Sequence, residues 1–442
     1  LEPNRVTATY RVTAGSKTDT KEFTYRYAED VFDPDDPGDR NLATMMAAQP
    51  ALNYGLFCRE IAVRGLLDKH DRRFLSTYAA HTAREIYVHK FMTANPFLTG
   101  SAVDLPLVRQ NSYLQAELVF PDGDAATGAS WRTSPDKVAV LSSGGKDSLL
   151  TYGLLDEIGC EAHPLFVNES GRHWFTALNA WRHFKDSVPH SSKVWTDADR
   201  LFSWMLSHLP FIRSDYSRVR ADIYPVRLWT VAVFIFGVLP LVRHRGIGRV
   251  TIGNEYDSSS RQTHSGITHY AAVYDQSRWF DQALTRYYQR KNWNITQFSI
   301  LRPLSELLIE KVLVERYPML QKLQMSCHAA HVEEDRVHPC GKCEKCRRVV
   351  GMLMAVGANP TQCGYSEQQI RDCLAALALQ GAHQERGVFQ HVLHVLAERQ
   401  LVETKEHARP HPEVLALRFD KQHSPHETVP ADLRQPLYRI LL

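Results

Sequence analysis

The segment Ser142–Ser148, with the sequence SSGGKDS, constrains the fold of this 442-residue chain more than any other. It follows a short apolar run, Val138–Leu141, of the kind found in parallel strands that are buried on both faces. A helical pattern, Ser148–Ile158, begins where the loop ends. The adjacent glycines allow a tight turn close to an anion, and the helix start offers unpaired N–H groups. The sequence therefore predicts a strand, a phosphate-binding loop and a helix in succession.

The side chains of this loop suit a nucleoside triphosphate. Ser143 and Ser148 carry hydroxyl donors, Lys146 carries a positive charge, and Asp147 can help to hold Mg²⁺. The loop is not a Walker A motif, because the first glycine of that motif would fall at Val140 and Asp147 replaces the required Ser or Thr. A glycine-rich turn without a ligand is the alternative.

The flanking pattern predicts an α/β fold with an open parallel sheet. Pro164–Val167 is a second strand-like run, a helical stretch begins at Trp174, and Val250–Ile252 predicts a later strand. We expect this α/β domain to occupy residues 131–355.

Two further regions flank the predicted domain. Residues 1–130 are predicted to be an α+β accessory region, with a hairpin formed by Val6–Val12 and Phe23–Tyr27 and a helical pattern over Leu42–Met92. Residues 356–442 are predicted to be a helical extension that ends in a stretch rich in His and Pro.

Four cysteines form a cluster: Cys327, Cys340, Cys343 and Cys346. Four thiolates can complete the tetrahedral shell that zinc favours, which leaves no open position for catalysis. The spacing therefore predicts a structural zinc site, and an iron–sulfur cluster or unligated thiols are the alternatives. Because the other four cysteines are scattered, the distribution favours a reducing compartment and a cytoplasmic location over a disulfide framework.

Charge and hydropathy argue against two classes of partner. A formal net charge of +3 is too small to indicate a nucleic-acid surface. The longest apolar run, Leu228–Val242, is interrupted by Gly237 and Pro240 and is too short for a spanning helix, so we expect a buried helix and no membrane association. The sequence leaves a homodimer open.

The loop and the cysteine cluster together resemble the PP-loop ATP-pyrophosphatases, and within them the 7-cyano-7-deazaguanine synthase family. The SGGxDS signature of the PP-loop enzymes matches at all five specified positions, and the family's C…CGxCxxC pattern follows it. The resemblance runs in order from Lys137 to Val350 through five further segments: Asn168–His173, Tyr224–Arg227, Gly253–Asp257, Arg302–Leu304 and Ser326–Cys327. One departure is Ser258–His264, which replaces a tyrosine–proline–aspartate stretch of the family.

The resemblance implies a PP-loop fold and a set of site residues. It assigns ATP binding to the residues of the loop, which are Ser142, Ser143, Gly144, Gly145, Lys146, Asp147 and Ser148. Lys146, Asp147 and Ser148 are the implied catalytic residues, and the four clustered cysteines are the implied zinc ligands. Candidates for contacts with substrate or Mg²⁺ are Arg227, Glu255 and Asp257.

The implied activity is that of an ATP-dependent ligase that forms C–N bonds. Such an enzyme adenylates the carboxylate of 7-carboxy-7-deazaguanine or a similar base, and an amine then displaces AMP to give an amide or, after a second adenylation, a nitrile. The long regions outside the resemblance are similar to those of enlarged relatives from bacterial anti-phage defence systems, in which a protein can be the acceptor. A PP-loop enzyme that thiolates tRNA and a nucleotide-binding scaffold without activity are the alternatives.

Overall fold

The computed structural model describes residues 1–125, 128–219, 221, 223–227, 231–327, 329–403 and 407–442. In these residues the strands, in chain order, are β1 Arg5–Ala14, β2 Lys17–Arg26, β3 Glu60–Ala62, β4 Glu117–Val119, β5 Ser134–Ser142, β6 Glu161–Asn168, β7 Ser192–Thr196, β8 Ile247–Thr251, β9 Arg261–His264, β10 Ile267–Tyr270, β11 Thr296–Phe298, β12 His331–Glu333 and β13 Arg336–His338. The helices are α1 Pro37–Ala48, α2 Lys69–Ile86, α3 Lys146–Glu157, α4 Trp174–Ser187, α5 Ala198–Leu206, α6 Val231–His244, α7 Arg278–Arg290, α8 Glu306–Arg316, α9 Pro318–Gln321, α10 Glu344–Ala355, α11 Glu367–Gln380, α12 Arg386–Glu398 and α13 Ala431–Leu441.

A seven-stranded sheet in the order β1-β2-β7-β6-β5-β8-β11 organises the fold. Strands β7, β6, β5, β8 and β11 are parallel to one another. Strand β2 is antiparallel both to β1 and to β7. On β5, Ala139 faces one hydrophobic core while Val138 and Val140 face another, and all three are fully buried. The predicted α/β class with a mostly parallel, helix-flanked sheet is confirmed.

The elements around the loop lie where the sequence predicts them. Strand β5 ends at Ser142 and α3 begins at Lys146, so the glycines form the connection between them. Strand β6 contains the predicted run Pro164–Val167, and α4 begins at the predicted Trp174.

The predicted helical stretch Leu42–Met92 is wrong in its middle. Helix α1 ends at Ala48, just before Pro50, whose ring is incompatible with a continuing helix. The chain then passes through β3, and helix α2 starts again after Asp68, whose carboxylate caps its first turn. The predicted helical region therefore contains two helices separated by a non-helical segment.

The predicted N-terminal hairpin is present and extends the central sheet. Tyr25 of β2 pairs with Thr196 of β7 in antiparallel register. The Tyr27 hydroxyl donates to the Gly237 carbonyl at 2.7 Å, which joins the hairpin to α6. The division at residue 130 stays a prediction, but this hairpin shares a sheet and a core with the α/β region.

The C-terminal region is helical from α10 to α12 and then returns to the sheet. Leu433 and Leu437 of α13 pack in the same core as β5 and α3. Asp432 accepts two hydrogen bonds of 2.8 Å from Arg249 of β8. Helix α13 lies within residues 356–442 and contains Pro436.

Helix α6 accounts for most of the long apolar run. Its residues from Val231 to Val242 are mostly buried in the core, as predicted; Leu228–Thr230 lie outside the described residues. In the described part of the chain, no helix is both long and apolar enough to cross a membrane.

A buried ion pair fixes the turn that follows β8. Arg302 is fully buried, its guanidinium donates to the carboxylate of Asp281 at 2.7 Å, and it also donates to the hydroxyls of Ser258 and Ser259. We expect Arg302→Met to lower the free energy of unfolding by about 3–5 kcal/mol, because it leaves a buried carboxylate without its partner. A urea titration measures this change.

Two matched variants make this test specific. Arg302→Met combined with Asp281→Leu removes both charges and should recover part of the lost stability. Lys311→Met breaks an exposed pair with Glu315 and should change stability by less than about 0.5 kcal/mol. A similar small loss for Arg302→Met would contradict the prediction.

Candidate functional site

The loop between β5 and α3 can only be closed by glycine at position 144. Gly144 has a φ of +75°, and a Cβ at this position would lie 2.8 Å from the Cα of Ala177 and would also collide with the carbonyl oxygen of Thr176. Gly145 precedes α3 as its N-cap residue and provides no side chain to cap the first turn. The first N–H groups of α3 are therefore free of a side-chain cap and available to an anion.

Gly144→Ala should destabilise this loop much more than Gly145→Ala. The first substitution imposes a left-handed conformation that costs about 1–2 kcal/mol on a residue with a Cβ, and it adds the collision with α4. A Cβ at Gly145 would only reach ordinary contact, 3.6 Å from the Ser143 hydroxyl. Thermal denaturation of both variants checks this, and equal melting temperatures would contradict the steric role of Gly144.

Lys146 is buried at the centre of the site. Its ammonium lies 2.7 Å from the Asp147 carboxylate and 3.5 Å from the Glu306 carboxylate. Burial lowers the pKa of Lys146, but the carboxylates of Asp147, Glu306 and Glu255 outweigh it and raise this pKa above its usual value. Lys146 therefore stays charged inside the protein.

The two carboxylates from the turn after β8 lie in the same electrostatic environment. Burial and the neighbouring Asp147 raise the pKa of Glu255 well above its usual value. Burial and Glu306 raise the pKa of Asp257 to about 7. Gly253 of the same turn contacts Asp147 closely, since a Cβ there would lie 2.8 Å from the Asp147 Cβ. The predicted residues Lys146, Asp147, Glu255 and Asp257 thus share one site, at the carboxyl ends of neighbouring parallel strands, where such sheets bind ligands.

The serines of the loop contact the loop itself. The Ser148 hydroxyl donates to the Gly145 carbonyl at 3.1 Å and lies 3.4 Å from the Ser142 hydroxyl. The Ser143 carbonyl accepts a hydrogen bond from the hydroxyl of Thr176 on α4. These contacts hold the backbone in the open turn, and they favour a supporting role for Ser148.

Arg227 lies at the ends of a different pair of strands. Its guanidinium donates to Asp199 at 2.7 Å and stacks on the rings of Phe202 and Tyr224. Glu169, at the end of β6, is buried beside this group, and burial raises its pKa to about 7. One oxygen of Glu169 has no hydrogen-bond partner among the described residues. Arg227 and Glu169 therefore form a second polar group at the same edge of the sheet.

Several residues of the site were missed at the level of sequence. Glu306 begins α8 and contacts Arg348 of α10 at 3.3 Å, and this arginine and Lys146 outweigh burial and lower the pKa of Glu306 to about 2. Glu385 pairs with Arg418, which stacks on Tyr256. Only Glu306 could have been found from the sequence, because it follows the Arg302–Leu304 segment and Ser305, which caps helix α8. The others come from the C-terminal extension or α10 and are brought together by tertiary structure.

The four clustered cysteines form a compact group. All four sulfur atoms lie within 4.8 Å of one another, with Sγ–Sγ distances of 3.5–3.9 Å for three of the pairs. Zinc–sulfur bonds of about 2.3 Å place tetrahedral ligands about 3.8 Å apart. The cluster can therefore hold a single zinc ion, and this spacing favours one ion over a multi-iron cluster, in which different thiolates bind different irons.

Backbone contacts connect the cysteine cluster to the loop. The Met325 N–H, two residues before Cys327, donates to the Gly144 carbonyl at 3.0 Å. Asn179 of α4 exchanges two hydrogen bonds with the backbone of Val337 in the cysteine segment. The chain around the cysteine cluster therefore contacts both the loop and α4.

A large open cavity lies at the other edge of the sheet. It has a volume of about 700 Å³, and its lining includes Trp131, Lys137, Arg245 and Asn294. These residues precede the parallel strands or lie at their amino ends, so the cavity is separate from the loop after β5.

No protein-family model and no curated protein matches the chain. The resemblance to the PP-loop enzymes therefore depends on the motifs of the sequence.

Proposed function

We propose that this chain is an ATP-dependent ligase of the PP-loop type that adenylates the carboxylate of a 7-deazaguanine-type base. The observation that carries the proposal is the loop between β5 and α3, in which Gly144, Lys146 and Asp147 meet the carboxylates of Glu255 and Asp257.

The loop suits the phosphates of ATP. The uncapped start of α3 supplies N–H donors and the positive end of the helix dipole. Lys146 adds a fixed positive charge in a buried position, where charge interacts strongly with a phosphate. The side chain of Lys146 would exchange its contacts with Asp147 and Glu306 for contacts with the phosphate oxygens.

The carboxylates of the site suit Mg²⁺. Burial raises the pKa values of Glu255 and Asp257, and repulsion from other carboxylates adds to it. For Glu255 the neighbours include Asp147 and Asp257, and for Asp257 they are Glu306 and Glu385. Oxygen ligands of this kind, together with phosphate oxygens, are the ones that Mg²⁺ prefers. Asp147, Glu255 and Asp257 are the residues that would hold the ion, which would neutralise charge on the phosphates.

The proposed reaction has two steps. A carboxylate oxygen of the base attacks the α-phosphorus of ATP, the bond to the bridging oxygen breaks, and pyrophosphate leaves. An amine nitrogen then attacks the activated carbonyl carbon, AMP leaves with the electrons of the C–O bond, and the nitrogen loses a proton. With ammonia the product is an amide, which a second adenylation would dehydrate to a nitrile. With a protein amine, as in the proposed defence role, the product is a conjugate.

The alternative function, thiolation of tRNA, finds less support. A sulfur carrier needs a thiol that ionises readily, and burial raises the pKa of all four cysteines outside the cluster. For Cys363 and Cys373 the pKa rises to about 12.

The release of AMP and pyrophosphate tests the proposal. Mg²⁺-ATP is incubated with the full chain, with and without 7-carboxy-7-deazaguanine, and the products are identified by mass spectrometry. We expect AMP release that depends on the acid, and the product mass distinguishes amide, nitrile and protein conjugate. Bound ATP without any stimulation by the acid would contradict the deazaguanine assignment.

A further inference from the structure

A second group of potential metal ligands lies far along the chain from the cysteine cluster. Glu85 at the end of α2, His89 in the π-helical turn Tyr87–Phe91 and His269 of β10 each place one ligand atom within 4.8 Å of the others. Glu85 and His269 are buried, and the side chain of His89 is 23% exposed to solvent. We propose that these three residues bind a divalent transition metal, with zinc as the favoured ion.

The ligand set and its spacing suit zinc. Two imidazoles and one carboxylate are a common set of zinc ligands that leaves a position for water. The Nε2 of His89 lies 3.4 Å from the Oε2 of Glu85. Tetrahedral zinc with bonds of about 2.0 Å requires a separation of about 3.3 Å between ligand atoms. The same Nε2 lies 3.0 Å from the Tyr270 carbonyl, a contact that a bound metal would replace.

The charge balance of this group also calls for a cation. The Glu85 carboxylate is fully buried, and its Oε1 lacks a hydrogen-bond partner among the described residues. The guanidinium of Arg84 is 3.6 Å from Oε1, and Oε2, on the side of His89, accepts one hydrogen bond from the Tyr270 N–H at 3.2 Å. A fully buried carboxylate with these two contacts is only partly compensated, and a metal ion at Oε2 would add compensation.

The backbone supports a functional interpretation. His89 lies in a π-helical turn, a feature that costs regular hydrogen bonding and occurs frequently at functional sites. His269 lies on the β9–β10 hairpin, whose base is joined by a hydrogen bond from the Ala271 N–H to the Ser260 carbonyl. This hairpin follows directly after the turn that carries Glu255 and Asp257. A metal at this site would therefore fix the N-terminal region to the segment next to the ATP loop.

Metal counting tests the proposal independently of any enzymatic activity. The full chain is equilibrated with Zn²⁺ by dialysis, and bound zinc is measured by mass spectrometry. We expect two zinc ions per chain, one in the cysteine cluster and one in the second site. Glu85→Gln and His269→Gln should each lower the affinity of the second site for zinc by more than about 100-fold. Removal of a group that only hydrogen-bonds to a metal ligand already costs about 10- to 100-fold, and these two residues are ligands themselves.

A matched control comes from another Glu-His-His group. Glu161, His163 and His190 also lie close together, but the Glu161 carboxylate already contacts the ammonium of Lys137 at 3.3 Å and the His163 Nε2 at 2.8 Å, and His190 is exposed. His163→Gln should therefore keep both zinc ions. Loss of the second ion in His163→Gln, or its retention in His269→Gln, would overturn the assignment.

Cobalt substitution keeps the test decisive if a variant folds poorly. Co²⁺ in the cysteine cluster gives an intense thiolate charge-transfer band, whereas Co²⁺ bound by histidine and carboxylate gives only ligand-field bands. In the wild-type chain we expect a second equivalent of Co²⁺ to add ligand-field intensity without more thiolate absorption. In Glu85→Gln, an unchanged thiolate band reports an intact fold. A wild-type chain that binds only one equivalent would overturn the proposal.

Discussion

Lys146→Met is expected to reduce the release of AMP and pyrophosphate from ATP by about 100- to 1,000-fold, the usual effect of removing one group that stabilises transition-state charge. Methionine has a similar volume and flexibility but carries no charge, so the change isolates the electrostatic contribution. The ammonium of Lys146 is buried between Asp147 and Glu306, which fixes its position before ATP binds. Initial rates at saturating ATP, with the melting temperature measured in parallel, check the prediction.

Lys137→Met is the matched control. Lys137 lies near the start of the same strand, β5, and its ammonium contacts Glu161 at 3.3 Å, at the opposite edge of the sheet. We expect its loss to leave the rate nearly unchanged. Lys146→Arg retains the positive charge and distinguishes a loss of charge from a loss of fold. A folded Lys146→Met variant with an unaltered rate would exclude the loop as the ATP site and would favour a nucleotide-binding scaffold.

The site residues predicted from the sequence are those in contiguous runs, together with Glu255 and Asp257, which follow a predicted strand. The strand, the glycines and the helix start at Ser142–Ser148 follow one another directly, so local rules define them. The same holds for Cys340, Cys343 and Cys346, whose spacing of three residues brings their thiols together within one turn and the start of α10.

The parts that were not predicted depend on packing between distant segments. Glu306, Arg348 and Glu385 lie on or next to three different helices and meet only because α8, α10 and the C-terminal region pack together. A single sequence carries no signal for such proximity. The helical pattern predicted over Leu42–Met92 likewise did not show the break between α1 and α2, which begins at Pro50.

The position of Arg227 illustrates a limit of reasoning from motifs. The sequence placed it among the candidates for substrate or Mg²⁺, together with Glu255 and Asp257. In the structure Arg227 pairs with Asp199, while the two carboxylates lie near Lys146. Its role in binding substrate or a phosphate stays a prediction.

Cys346→Ser is expected to release the zinc ion and to lower the free energy of unfolding by more than about 3 kcal/mol, because the metal loses one of its four ligands. Cys346 is fully buried at the start of α10, in the core that α10, α11 and α12 share. Structural zinc contributes about 10–16 kcal/mol to the folding of zinc-finger peptides, so even partial compensation by this core leaves a large loss. Zinc content and urea denaturation measure the two effects.

Cys373→Ser provides the control, because this buried thiol lies next to the cluster without belonging to it. Its Sγ donates to the Gly341 carbonyl at 3.3 Å, and a serine hydroxyl can make the same bond. We expect this variant to keep its zinc and to lose less than about 1 kcal/mol. Equal losses for Cys373→Ser and Cys346→Ser would mean that the core alone, without a metal, stabilises this region.

The release of zinc from Cys346→Ser should also weaken the binding of ATP. The cysteine segment holds the Gly144 carbonyl through the Met325 N–H, and it holds α4 through Asn179. Without the metal, the segment that makes both contacts is less ordered, and the loop is less ordered with it. Part of the free energy of ATP binding is then spent on ordering the loop. We therefore expect the Kd for ATP to rise in this variant, and to rise in the wild-type chain after chelation of zinc and recover when zinc is restored. An unchanged Kd in the metal-free chain would show that the loop is ordered independently of the cysteine cluster.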